Sequence, residues 1–149
     1  MLLNNFCVLD VACCTPRTTV LEAAHLMHRH HIGDLVVVED EETKQSPLGI
    51  ITDRDIVIEV LARGLDPSTT LVGSISRSPM VVAQEDEDSH FTLERMRDHG
   101  VRRMPVIGRH GRLVGIVTLD DLWKRLAIEV NLLVEVVSRG QSLEARRGS

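Results

Sequence analysis

Aromatic side chains are almost missing from this sequence. They make up 2% of its 149 residues: Phe6, Phe91 and Trp123, with no tyrosine. Proteins that hold single-stranded nucleic acid stack its bases on aromatic rings, so this class is disfavoured. A clustered positive face is missing too. There are 17 basic against 22 acidic residues, a formal net charge of −5, and no long basic run. Duplex nucleic acid is therefore a poor partner. No apolar stretch approaches the ~20 residues of a membrane span, so no membrane partner is expected. Met1-Leu2-Leu3-Asn4-Asn5 lacks the charged and long apolar regions of a signal peptide. Cysteine is scarce, and Cys7, Cys13 and Cys14 (an odd number, two of them adjacent) make no disulfide framework. They suit reduced thiols, and the expected location is cytoplasmic. What remains is a globular composition, 43% apolar and 26% charged, in a chain long enough to hold a core.

The main positive signal is an internal repeat. Gly49-Ile50-Ile51-Thr52-Asp53-Arg54-Asp55-Ile56 aligns with Gly115-Ile116-Val117-Thr118-Leu119-Asp120-Asp121-Leu122, an offset of 66 residues. Upstream, Ile32-Gly33-Asp34-Leu35-Val36-Val37-Val38 aligns with Val101-Arg102-Arg103-Met104-Pro105-Val106-Ile107 at an offset of 69. Met27 with Met96 and His30 with His99 keep that second offset. The first copy thus holds three extra residues between the blocks, in the polar stretch 39–47. A surface hairpin tolerates such an insertion far better than a strand or helix does.

Each copy reads as β-α-β-β-α. A short strand is expected over 8–14 and again over 80–83. The first helix is capped by Thr18 or Thr19 and carries Ala23, Leu26, Met27 and His30 at helical spacing. Its counterpart spans about 88–99, with Phe91, Leu93 and Met96 as core contacts. The β-branched runs 35–38 and 104–107 are buried strands, followed by strands at 48–51 and 113–117. A helix starts directly after Thr52 and after Thr118. One copy covers only one face of its sheet, so two copies must pack together, about a pseudo-twofold axis. The fold class is therefore α/β of the α+β type, with a linker at 63–68. The first repeat spans 1–66 and the second 67–138.

The repeated Thr52-Asp53-Arg54-Asp55 and Thr118-Leu119-Asp120-Asp121 have a purely structural reading as capping boxes, with acid placed favourably at a helix N-terminus. Their duplication at a strand-to-helix junction adds a functional reading. Such a junction attracts anions, and a carboxylate there can accept from a ribose diol. Gly49 and Gly115 would allow close approach.

These motifs, over about 8–128, make the sequence resemble the tandem cystathionine-β-synthase (CBS) domain pair, or Bateman module. The resemblance implies a compact disc with two clefts that bind adenosine-containing ligands: AMP, ADP or ATP, with NAD and S-adenosylmethionine as further candidates. No cofactor is required. It assigns ribose and phosphate contacts to Thr52, Asp55, Thr118 and Asp121, and an aliphatic adenine pocket to Ile32, Ile50, Val101, Pro105 and Ile116. Arg102 and Arg103 are expected to meet phosphate beside Thr52 and Asp55. Arg54 is expected to be the main cation beside Thr118 and Asp121, where Asp34 would repel a polyphosphate.

Other clusters weigh less. His25 and His28 share a helix face, but no Cys or acidic residue completes a tetrahedral set in sequence, so no metal is expected. Adjacent Cys13 and Cys14 point to opposite faces of a strand and cannot share one zinc comfortably. Nothing flanks a cysteine or histidine as nucleophilic chemistry demands, so no catalytic residue is expected. The last helix runs to about 138. Leu119, Leu122, Trp123 and Leu126 finish the second copy, whereas Val130, Leu133, Val134 and Val137 extend an apolar stripe beyond it. That stripe points to a homodimer through the helices or to a target protein. Residues 139–149 are expected to be a disordered tail. The reading is a regulatory, signal-transducing energy or metabolite sensor. The alternative is a dimeric interaction scaffold without a ligand.

Overall fold

The structure is a computed structural model that describes residues 2–3, 7, 9–44, 46–76 and 80–148. Its first half places β1 (Cys13–Cys14), α1 (Val20–His30), β2 (Asp34–Val38) and β3 (Pro47–Thr52) in sequence. A short α2 (Asp53–Asp55) leads into a wider π-helical stretch, Ile56–Leu61, and α3 (Val72–Ile75) follows. The second half repeats the order with β4 (Ala83–Gln84), α4 (Ser89–His99), β5 (Arg103–Ile107), β6 (Leu113–Thr118) and α5 (Leu119–Arg147). Each half forms a three-stranded sheet with a parallel edge strand and an antiparallel hairpin. The registers correspond: Asp34 faces Thr52 and Arg103 faces Thr118, with bulges after Val37 and Val106. The α/β fold of two β-α-β-β-α repeats is thus as expected.

The edge strands are shorter than expected. Only Cys13–Cys14 joins the first sheet, although Val36 also donates its N–H to the Ala12 carbonyl at 3.1 Å. In the second copy the strand is Ala83–Gln84, displaced towards α4 from 80–83. Val8, the expected start of the first strand, lies outside the described residues.

Thr19, not Thr18, caps α1: its hydroxyl accepts from the Glu22 N–H at 3.2 Å, and Glu22 Oε2 accepts from the Thr19 N–H at 2.8 Å. α1 buries Val20, Ala23 and Met27. α4 turns a different face inward. Phe91 and Leu93 are 59% and 40% exposed, while Thr92 and Met96 are buried. The reason is polar. The Thr92 hydroxyl donates to Glu87 Oε1 at 2.9 Å, and Arg95 binds Glu87 Oε2 at 3.0 Å, so a satisfied network fixes the helix phase.

The strands carry near-continuous apolar runs because both their faces are buried. Leu35, Val37 and Ile51 pack with α1 and Val60 in one core. Met104, Val106 and Val117 pack with Met96 and Leu122 in another. The opposite faces meet in a third cluster, where Val36 and Val38 touch Leu113 and Ile116. That cluster joins the two repeats about the pseudo-twofold axis.

The repeats also exchange segments. Leu3 is fully buried in the second core, and its N–H donates to the Glu87 carbonyl at 3.1 Å. Val72, at the equivalent place 69 residues later, is fully buried in the first core and donates to the Thr18 carbonyl at 2.9 Å. Packing therefore does not follow the division of the chain at 66/67. The C-terminus differs as well. α5 is helical to Arg147, so residues 139–147 are not the expected disordered tail. Helix formers and the i, i+4 bond from Ser142 Oγ to the Ser138 carbonyl at 3.0 Å accompany the extension past Gly140.

Candidate ligand-binding clefts

Both motif threonines end a strand and cap the helix that follows. The Thr52 hydroxyl accepts from the Asp55 N–H at 3.1 Å, and Asp55 Oδ2 accepts from the Thr52 N–H at 3.0 Å. The second box repeats this at 3.1 and 3.2 Å between Thr118 and Asp121, and the Thr118 hydroxyl also donates to Asp121 Oδ2 at 2.7 Å. The capping reading is therefore realised. It does not exclude a ligand, because an ionised carboxylate offers about four acceptor positions.

Each box opens into its own cleft. The Thr52 cleft, about 510 Å³, has Ile50, Thr52 and Asp55 on one wall and Val101, Arg102 and Arg103 on the other. It thus combines both repeats, as expected for those residues. Arg54 lines this same cleft. The expectation that it serves Thr118 is corrected: Arg54 sits in the first turn after Thr52, and a helix start keeps its side chains at its own end. Its counterpart Asp120 likewise stays beside Thr118.

The Thr118 cleft is larger, about 850 Å³, and holds Ile32, Ile116, Thr118 and Asp121. Its charges were mostly illegible in the sequence. Asp10, Asp34, Asp120 and Asp121 line it, together with Lys124, His30 and His31. Lys124 was missed although it lies one helical turn beyond Asp120, an i, i+4 signal that could have found it. His31 ends α1 with a left-handed φ of 53°, where the second copy uses Gly100 at 64°. Pro105 is buried within β5 opposite Ile116 and lines neither cleft, so its place in the adenine pocket is corrected.

The arginines are not idle cations. Arg103 forms an ion pair with Asp34. These two occupy equivalent positions, 69 residues apart, so the pair spans the two repeats and joins one wall of each cleft. Asp34, expected to repel a polyphosphate in the Thr118 cleft, is here paired with Arg103. Arg102 lies 3.7 Å from Asp120, but both side chains are 75% exposed, and such a pair contributes little. Arg54 makes no ion pair among the described residues.

Known proteins share this architecture. The sequence profile of the CBS domain matches residues 5–62 and 72–126. The chain belongs to the CBS domain family. This CBS pair is 40% identical over 116 residues to hypoxic response protein 1 of Mycobacterium tuberculosis, covering 78% of each chain. A crystal structure of Hypoxic Response Protein I with two coordinated zinc ions superposes with a TM-score of 0.73 at 36% identity, over 83% of this chain and 98% of that one. An uncharacterised Methanopyrus kandleri protein, MK0525, is 37% identical over 113 residues, 76% of this chain but only 56% of that relative's length. The CBS domain pair of protein MJ0100, solved with 5-methylthioadenosine and S-adenosyl-L-methionine, gives a TM-score of 0.74 at 26% identity, over 87% of this chain and 98% of that one. Among the described residues of the present pair, no three His, Cys, Asp or Glu side chains are placed to share a metal ion, and no helix is long and apolar enough to cross a membrane.

Proposed function

We propose that this CBS pair is a non-catalytic regulatory module that binds adenine nucleotides or related adenosyl ligands in its two clefts. The observation that carries this reading is the Thr52 cleft. Thr52, Arg54 and Asp55 at a helix N-terminus face Arg102 and Arg103 across an aliphatic floor, a set suited to ribose, phosphate and adenine together. The MJ0100 pair and its adenosyl ligands support it. The module works as an energy or metabolite sensor in the cytoplasm, where its three free thiols stay reduced.

A thermal-shift panel of AMP, ADP, ATP, NAD and S-adenosylmethionine tests the reading. Ligand at ~100 times its Kd adds about 2.7 kcal/mol to stability. At least one member of the panel is expected to raise Tm, without turnover on product analysis. No shift at millimolar ligand overturns the sensor reading and favours the scaffold. The scaffold reading has one observation of its own, the exposed apolar stripe on α5.

A further inference from the structure

The two clefts carry different charge. Arg54, Arg102 and Arg103 outnumber Asp53 and Asp55 in the Thr52 cleft. In the Thr118 cleft Asp10, Asp34, Asp120 and Asp121 outnumber Lys124, even when His30 and His31 are both counted as cations. One contact ties the two together: Asp34, 21% exposed, holds Arg103, 37% exposed, across the pseudo-twofold axis. Equivalent positions of the repeat thus bear opposite charges, and each spends its charge on the other.

On the reading that both clefts bind adenosyl ligands, we propose that the Asp34–Arg103 pair couples the clefts reciprocally and sorts their ligands by charge. An anionic ligand in the Thr52 cleft offers Arg103 a second, bidentate partner. As Arg103 turns to the phosphate, the Asp34 carboxylate loses its neutralising partner and faces the Thr118 cleft. A second anion there is then repelled, and a cationic adenosyl ligand, one bearing a sulfonium or ammonium group, is favoured. The differential contact required of a coupled system is explicit: the Asp34–Arg103 pair exists only while the Thr52 cleft lacks an anion. Linkage makes the effect mutual, so a cation beside Asp34 releases Arg103 and tightens anion binding in the first cleft. Both groups are partly buried, so salt screens the effect only in part.

Isothermal titration of the full chain with AMP, neutral adenosine and S-adenosylmethionine tests this. In the wild type, saturating AMP is expected to tighten S-adenosylmethionine about fivefold or more, within the usual range of coupling between sites. Saturating adenosine, which offers Arg103 no anion, is expected not to. In Asp34→Asn, AMP binds tighter because Arg103 has no competing carboxylate, and the coupling disappears. Asp34→Glu keeps the carboxylate and is expected to restore coupling. Far-UV circular dichroism confirms that both variants fold. If the ligands bind but AMP alters S-adenosylmethionine equally in wild type and Asp34→Asn, the coupling is overturned and the clefts stand. If neither AMP, adenosine nor S-adenosylmethionine binds the wild type, the adenosyl reading falls and the coupling falls with it.

Discussion

Single residues in this CBS pair serve two purposes that must be separated by measurement. Asp55 and Asp121 each complete a capping box and face a cleft. Asp121→Ala leaves the Thr118 cap but removes the carboxylate that accepts from the Thr118 N–H, so it lowers stability. If the carboxylate also holds a ribose diol, a charged hydrogen bond of about 1.5–3 kcal/mol goes too, and affinity in that cleft falls at least tenfold. Asp55→Ala is expected to do the same in the other cleft. Calorimetric titration of each folded variant reads affinity apart from stability. Lower Tm with unchanged affinity in both would leave the aspartates as caps alone.

Cys14 shows a residue with one role. It is fully buried in the first core, and burial pushes its thiol up to about 12, with smaller contributions from Cys13 and Glu41. Burial also raises Cys7 and Cys13. The folded state keeps the Cys14 proton that an unfolded chain releases near pH 9. That contribution is complete below pH 9 and is lost as pH climbs from there towards about 12. Denaturant unfolding at a series of alkaline pH values is expected to show the decline, and Cys14→Ala is expected to flatten part of it. Thiol reagents at neutral pH should spare Cys14 until the protein unfolds.

At the scale of elements, legibility followed periodicity. The strands β2, β3, β5 and β6 and the two capping boxes were readable because repeated runs and motifs specify them locally. The phase of α4 was not, because Phe91 and Leu93 look like core residues until the Thr92–Glu87–Arg95 network is seen. The cleft assignment of Arg54 failed for another reason: the sequence says which residues share a helix end but not which elements the pseudo-twofold axis brings opposite it. The exchanged segments were hidden too, since one buried Leu3 or Val72 has no period. α3 makes the most exacting contact of that exchange. A Cβ on Gly73 would meet Pro16 Cβ at 2.8 Å and the Pro16 carbonyl oxygen at 3.0 Å. Backbone on one side and a rigid ring on the other leave little room to adjust. Gly73→Ala is therefore expected to cost about 1–3 kcal/mol by overpacking, although alanine is the better helix former. Denaturant midpoints measure it, and a neutral or stabilising effect would show that α3 docks more loosely than described.

For the whole molecule, the open question is what covers α5. Leu122 is its only buried residue among those described. Trp123 and Leu126 finish the second copy's helix as expected, yet are 69% and 53% exposed. They continue into Val130, Leu133, Val134 and Val137, all at least half exposed, so one apolar stripe runs past the end of the repeat. A stripe of this length on one chain marks an interaction surface. Burial of each aliphatic side chain contributes about 1.5–3 kcal/mol, so four from each subunit can exceed the cost of association. We propose a homodimer through this helix. The wild type is expected to sediment as a dimer at micromolar concentration. Leu133→Asp places an unpaired charge in the contact and is expected to weaken association while circular dichroism stays unchanged. If Leu133→Asp unfolds the chain instead, the stripe packs back on its own module. A wild-type monomer leaves the stripe for the regulated target, and the homodimer is then abandoned.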